Sequence, residues 1–250
     1  MTISHPTSRP RAARARLVAD VLRHQVLHRA REGRLELPSE PTLADDFGVS
    51  RNTVRAALDL LRLEGLVERT PGVGTRAGGG KHPHGLHQLQ GLGEILAEGS
   101  LVHNEVRAAG LVRAPGAVAH RLRLGPDEPV VYVERLRTVD GVPMSLDLTY
   151  LPRDPGEALL EEDLAHRDVF ALLEEITGGG LGGADVTLEA VGADQHSASL
   201  LRVRPGTPLL MLERLTRLGD GRPVDLEFIR FRGDRITMRS TLRRTPRSPA

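Results

Sequence analysis

This chain predicts an α+β fold in two parts: a helical head ending in a short hairpin, and a longer body of antiparallel strands with helices. Three observations carry the prediction. Apolar residues recur at helical spacing from Leu17 to Leu61, then give way to a glycine-rich turn. The run Ala77-Gly78-Gly79-Gly80-Lys81-His82-Pro83-His84-Gly85 cannot hold a packed core and marks a boundary. Beyond it, residues 122–136 and 201–215 repeat each other, identical at seven of fifteen positions, and each copy runs through a Gly- and Pro-containing turn into another strand.

The bulk numbers narrow the class. A chain of 250 residues can hold two domains, and 39% hydrophobic with 27% charged residues is the balance of a packed globular protein. No apolar run approaches the length of a membrane span, and the first twenty residues lack the apolar core of a secretion signal. The absence of cysteine excludes disulfides and thiolate metal sites and agrees with a cytoplasmic location. Residues 1–82 hold fourteen basic against nine acidic side chains, and the remainder is net acidic. Only the head is therefore expected to face a polyanion.

In the head, residues 11–31 form a first helix with Leu17, Val18, Val21, Leu22 and Val26 on its apolar face, closed by Gly33. Ser39 caps a short second helix, with Pro41 in the first turn, where a missing N–H costs nothing. That helix ends at Phe47-Gly48, and the glycine supplies the positive φ of a sharp interhelical turn. Ser50 caps a third helix, whose Val54, Leu58 and Leu61 dock on the first two while Arg51, Asn52 and Arg55 point away, with Thr53 beside them. Residues 65–69 form a strand, 70–74 a turn with Gly72 at its tip, and Thr75-Arg76 a return strand. This is a helix-turn-helix with a wing. Arg makes bidentate contacts to guanine and Asn to adenine, while Ser50, Thr53 and the helix N-terminus suit phosphate oxygens. A solvated polar face on a core helix is the alternative for two Arg taken alone; the wing shifts the balance toward DNA.

In the body, the duplicated units imply two pseudo-symmetric halves of one antiparallel sheet, with a pocket at their seam. A helix is expected over 86–98 and another over 169–176, begun by Asp168 as its cap. Gly178-Gly179-Gly180-Leu181-Gly182-Gly183 follows a helix and lacks the Lys-Ser/Thr ending of a phosphate loop, so a flexible loop is expected. His82, His84 and His87 have no rigid scaffold or nearby carboxylates and are expected to be linker residues, not a metal site. The expected boundaries are 11–78 for the head, 79–85 for the linker, 86–240 for the body and 241–250 for a disordered tail.

The head resembles the winged-helix domain of the GntR family of bacterial transcription regulators. The resemblance rests on Leu37-Pro38-Ser39-Glu40, Leu43-Ala44, Val49-Ser50-Arg51, Thr53-Val54-Arg55, Ala57-Leu58, Leu61, Glu64-Gly65-Leu66 and Gly72-Val73-Gly74-Thr75. It implies DNA contacts at Ser50, Arg51, Asn52, Thr53, Arg55 and Gly72, to which Ser39, Arg69 and Arg76 are added. Family members usually carry Arg after Leu-Pro-Ser-Glu; Pro41 stands there instead. The body resembles the effector-binding UTRA domain of the HutC subfamily, which has a chorismate-lyase-like fold. That likeness rests on Glu134-Arg135-Leu136-Arg137, Asp140-Gly141-Val142-Pro143, Tyr150-Leu151-Pro152, Phe170-Ala171-Leu172-Leu173-Glu174 and Phe231-Arg232-Gly233-Asp234-Arg235.

The second resemblance implies an effector site drawn from Arg135, Arg137, Asp147, Tyr150, Asp168, Phe170, Asp225 and Phe231. Arg135 and Arg137 share one strand face and can grip an anion together; alternatively they pair with Asp147 and Glu134 on the sheet. The hydroxyl-bearing helix start that holds phosphate in sugar-phosphate sensors falls near Gln90-Gly91-Leu92-Gly93, where the hydroxyls are lost. Ser and Tyr positions fall on Asp168 and Phe170. An added carboxylate repels a dianion, so the expected effector is less anionic than a sugar phosphate, partly apolar or amine-bearing. Together the two resemblances imply a homodimeric, ligand-responsive regulator, a repressor bound to a near-palindromic double-stranded operator and released by a small molecule, without catalytic residues, metal or cofactor. The rival is an enzyme on the lyase-like body, and the sequence offers it no nucleophile–base pair or cofactor loop.

Overall fold

The computed structural model describes residues 11–31, 35–70, 74–77, 81–91, 94 and 101–243. It divides into two compact units, Met1–His82 and Pro83–Ala250.

In the first unit, α1 (Arg11–Arg31), α2 (Glu40–Asp46) and α3 (Arg51–Leu63) precede the hairpin of β1 (Val67–Thr70) and β2 (Gly74–Ala77). Ser39 and Ser50 cap α2 and α3 by accepting from the Thr42 and Thr53 amides, and Gly48 takes φ +58° between them. The apolar face of α1 is rotated from the expected one. Ala15, Val18, Ala19, Leu22 and Val26 are buried, whereas Leu17 and Val21 are 41% and 51% exposed. The small Ala15 and Ala19 suit close packing of α1 on α3, so the alanines, not the larger residues beside them, mark the seam. Gly33 and Gly72 lie outside the described residues.

The second unit begins with β3 (His82–Gly85), followed by β4 (Val102–Arg113), α4 (Gly116–Leu122), β5 (Pro129–Val139), β6 (Val142–Pro152), α5 (Arg153–Leu160), α6 (Val169–Thr177), β7 (Leu181–Gly192), α7 (Gln195–Leu201), β8 (Pro208–Leu218), β9 (Pro223–Arg232) and β10 (Ile236–Arg239). Six strands form one antiparallel sheet in the order β4-β5-β6-β9-β8-β7. The order is a palindrome of the repeat: strand, helix, strand, strand occurs twice, and β6 meets β9 at the centre. The duplication reaches single residues. Arg123 and Arg202, which end α4 and α7, both adopt left-handed φ, at 57° and 53°.

Three expectations change here. The linker is shorter than 79–85, because β3 pairs with β10. Residues 86–91 are not helical: the Leu86 amide continues the strand pattern by donating to the Arg239 carbonyl at 2.7 Å. Within the expected 86–98 helix, Glu94 is helical and the remaining positions lie outside the described residues. Of the glycine run, Gly178 caps α6 with left-handed φ, but Leu181 to Gly183 already belong to β7. A Cβ at Gly182 would come within 2.7 Å of the Leu218 carbonyl oxygen, so a small residue is needed for backbone approach rather than for looseness. Residues 244–250 of the expected tail lie outside the described residues.

Each face of the sheet is covered. α4 and α7 pack with Leu136, Leu146, Leu215 and Leu226 on one face. On the other, α5 and α6 cover Val131, Val133 and Leu151, while Ile236 and Met238 of β10 pack on Met144, Ile229 and Phe231. Between these two apolar covers lies a band of polar side chains.

Candidate DNA-binding surface and effector cavity

In the head, Arg51, Asn52, Arg55, Arg69 and Arg76 are exposed. Thr53 is not: it is 3% exposed, and its hydroxyl lies 2.9 Å from the Ser50 hydroxyl. Thr53 therefore orients Ser50 and offers no free face to a phosphate, in contrast to the expectation. The Ser39 hydroxyl accepts from the Thr42 amide and pairs with its hydroxyl. A contact that the sequence did not suggest ties these pieces together. Glu40 accepts a hydrogen bond from Arg55 Nε at 2.6 Å and pairs with Arg69 Nη2 at 3.5 Å. One carboxylate thus links an arginine of α3 to one of the wing, both more than half exposed. Such exposed pairs are worth up to about 1 kcal/mol and are easily exchanged for phosphate partners.

In the second unit, alternation along the central strands places Arg135, Arg137, Asp147, Thr149, Arg214, Thr216, Asp225 and Glu227 on the same sheet face. A cavity there is lined by His84, Gly91, Arg135, Arg137, Asp168, Phe170, Arg214, Glu227 and Phe231, with Val169, Leu212 and Ile229. Of the eight expected effector residues, Arg135, Arg137, Asp168, Phe170 and Phe231 meet in its wall. Asp147 and Asp225 are fully buried on this face and support the cavity without lining it. Tyr150 is on the wrong face: it alternates with Asp147 and Thr149 and stacks on Tyr132 (centroids 5.1 Å apart) and Phe228.

The three cavity arginines have different fates. Arg137 pairs with Asp147 at 3.0 Å and donates from Nε to the Asn104 amide oxygen at 2.8 Å. Arg214 donates to Glu227, with Nε at 2.8 Å, and its Cζ sits 4.3 Å above the centre of the Phe170 ring. Burial alone would lower the Arg214 pKa, but Glu227 and Asp225 outweigh it and raise it. Arg135 is 1% exposed, and its Nε and Nη1 groups have no hydrogen-bond partner among the described residues. Burial, then the charge of Arg137, lowers its pKa. The alternative pairing with Glu134 does not form, because Glu134 lies on the opposite face with Tyr132 and Arg107. Asp147, Glu227 and Asp168 favour its charge but do not outweigh burial, so the site remains costly for a guanidinium, and an entering anion relieves that cost.

The cavity wall is completed by α6 and the segment before β4. Asp168 caps α6 by accepting from the Phe170 amide at 2.9 Å. A Cβ at Gly91 would lie 1.9 Å from an Asp168 oxygen, so Gly91 is what allows this segment to close over the cap. His84 is 5% exposed, and its Nδ1 has no partner among the described residues. Burial, then Arg214 and Arg137, lower its pKa to about 4, leaving the ring neutral at pH 7. Asp225 is pushed the other way, its pKa raised by burial and by Glu227.

The profile of the "Bacterial regulatory proteins, gntR family" matches residues 14–76, and that of the UTRA domain matches residues 97–237, more than half of the chain. The chain belongs to the GntR family of transcription regulators. Its UTRA body fits the HutC-type branch. The transcriptional repressor PhnF of Mycolicibacterium smegmatis is 31% identical over 244 residues, covering 89% of this regulator and 93% of PhnF. The repressor NagR of Bacillus subtilis is 28% identical, covering 88% and 90% of the two chains. The crystal structure of PhnF from Mycobacterium smegmatis superposes with a TM-score of 0.66 at 27% identity, over 91% of this chain and all of that one. GntR regulators bind DNA operators, and UTRA domains bind effectors. Among the described residues no helix is long and apolar enough to cross a membrane.

Sequence reasoning missed His84, Arg214 and Glu227. For two of these the signal was present: Arg214 and Glu227 occupy, in the second repeat, the places of Arg135 and Asp147 in the first. For His84 there was none, since a histidine after a glycine run carries no periodicity.

Proposed function

We propose that this regulator is a cytoplasmic homodimeric repressor that binds a near-palindromic operator and leaves it when a small molecule enters the cavity at Arg135. The observation that carries the effector part is the buried Arg135 guanidinium in the wall of that cavity, whose Nε and Nη1 have no hydrogen-bond partner among the described residues. Ser39, Ser50, Arg51, Asn52, Arg55, Arg69, Gly72 and Arg76 form the DNA-contacting set, with Thr53 acting through Ser50. Two third helices in successive major grooves read the half-sites. Arg135, Arg137, Asp168, Phe170 and Phe231 hold the effector, with Asp147 and Asp225 behind them. Effector binding favours an arrangement of the two protomers in which the heads are wrongly spaced for the operator. Arg137 and Arg214 are already neutralised by carboxylates, which supports an effector less anionic than a sugar phosphate.

Gel shifts with the DNA flanking the regulator's own gene test the DNA part. Arg51→Ala and Arg55→Ala each cost about 1–3 kcal/mol of operator binding without loss of fold. Unchanged affinity in both would remove the DNA-contact assignment. Calorimetry with sugar phosphates tests the effector class, and sub-millimolar binding of one would overturn it. Turnover of a bound metabolite, rather than release of DNA by it, would favour the enzyme.

A further inference from the structure

Glu40 joins three elements of the head through one carboxylate. It stands in the first turn of α2, and its Oε2 accepts from Nε of Arg55 on α3 at 2.6 Å. Its Oε1 lies 3.5 Å from Nη2 of Arg69 on β1. The hydrogen bond from Arg55 uses Nε alone among the described residues, which leaves the fork of Nη1 and Nη2 for a base edge. The backbone of Glu40 is fixed from both sides, by the Ser39 cap before it and the restricted φ of Pro41 after it. Position 41 holds no cation that could compete for the carboxylate, and Asp59, which shares a cleft with Glu40 and Arg55, is engaged by Arg62 at 3.6 Å. The Glu40 side chain is 17% exposed, against 55% for Arg55 and 62% for Arg69. The carboxylate is recessed, and the two cations are open to a duplex.

We propose that Glu40 is a specificity-determining positioning residue for DNA, which aims Arg55 at a base edge and suppresses binding to non-operator DNA. This rests on the DNA-contact reading of Arg55 and Arg69 given above. Two physical effects act in the same direction. An arginine held by its Nε before DNA arrives loses little further freedom when it meets a guanine, so the operator complex gains. Non-specific binding is carried by attraction between arginine and phosphate, and a carboxylate between two arginines reduces the charge they present to a backbone. Only a duplex whose base fits the Arg55 fork recovers what the carboxylate withholds. Arg69 is the looser of the two partners, so it can leave Glu40 for a phosphate while Arg55 stays held. Loss of Glu40 thus lowers selectivity rather than overall attraction to DNA.

The test uses full-length protein and fluorescence anisotropy on two labelled duplexes. One comes from the DNA flanking the regulator's own gene that the parent shifts, the other is a scrambled duplex of the same composition. With Glu40→Gln the scrambled duplex binds about threefold tighter, and its affinity falls more steeply with salt, by about one phosphate contact. The ratio of operator to scrambled affinity falls about tenfold. Glu40→Asp keeps the charge but loses the reach, so scrambled affinity stays at the parent value while the ratio still falls. In an Arg55→Ala background Glu40→Gln no longer changes the ratio, because the arginine it aims is gone. The inference is overturned if Glu40→Gln leaves the ratio and the salt slope unchanged. A lowered melting temperature with equal weakening on both duplexes would also overturn it, since that marks a residue that only holds the fold. Arg55→Ala keeps the two readings apart. If it weakens operator binding while Glu40→Gln changes nothing, this inference alone falls; if Arg55→Ala leaves operator affinity intact, the DNA-contact reading falls with it.

Discussion

The two halves of the body start from the same duplicated strand pair and end differently. In the second half Arg214 faces Glu227 across the β8–β9 ladder, and the longer carboxylate reaches its guanidinium. In the first half Arg135 faces Asp147 across β5–β6, but Asp147 is one methylene shorter and is held by Ser145 and Arg137 instead. One half uses the duplicated arginine to close a structural pair beneath Phe170; the other leaves it spare beside a cavity. The difference teaches that a binding group can arise from a structural one by shortening its partner, with no change in the arginine itself.

Breaking the pair in the saturated half has the largest expected effect. Glu227→Ala leaves Arg214 buried without its partner and lowers stability by about 3–5 kcal/mol in urea denaturation. The matched change in the other half, Arg135→Leu, removes a buried charge whose Nε and Nη1 hold no hydrogen bond among the described residues. Its stability is unchanged or higher, by up to about 1–4 kcal/mol. Equal losses in the two variants would show that the halves are energetically alike and that Arg135 is compensated by some other group.

Restoring the symmetry gives a smaller and sharper effect. Asp147→Glu adds the methylene that the second half possesses, so that the carboxylate can reach Arg135 as Glu227 reaches Arg214. Repression should persist while the regulator stops responding to its effector, with effector affinity falling by about tenfold or more. An unchanged response would mean that chain length at this position does not decide the fate of Arg135.

Much of this was legible before the structure, for physical reasons that differ by region. Helix caps such as Ser39, Ser50 and Asp168 are local: each side chain bonds an amide two or three residues on, so spacing alone reveals it. The sheet was legible because duplication writes the same pattern twice. Tyr150 was misplaced because family correspondence was followed where strand alternation, counted from Asp147, puts it on the other face. Glu40 and His84 were missed because each acts on residues far along the chain, Glu40 on Arg55 and Arg69, and His84 beside Arg137 and Arg214. Such meetings are set by packing, which leaves no period in the sequence. The rotation of α1 was lost for a related reason, since Ala15 and Ala19 weigh little on a hydrophobic pattern yet fit a close helix contact.

The smallest expected effect is a pH dependence that marks His84 as a buried neighbour of both halves, of Arg214 in one and Arg137 in the other. Its folded pKa, about 4, lies below the value near 6.5 of an exposed histidine, because burial with Arg214 and Arg137 disfavours the charged ring. Between these values the unfolded chain binds more protons than the fold. The contribution is therefore fully present above about pH 6.5 and is lost as the pH falls toward 4, by at most ~1.4 kcal/mol per pH unit. Asp225 works with the opposite sign, since its raised pKa makes the fold take up a proton as the pH falls. The parent profile mixes the two, but the difference between parent and His84→Asn isolates the histidine. Urea denaturation from pH 7.5 to 4.5 should show that difference growing steadily below pH 6.5. Parallel profiles would mean that the His84 ring protonates as freely in the fold as in the unfolded chain, and that burial with Arg214 and Arg137 does not govern it.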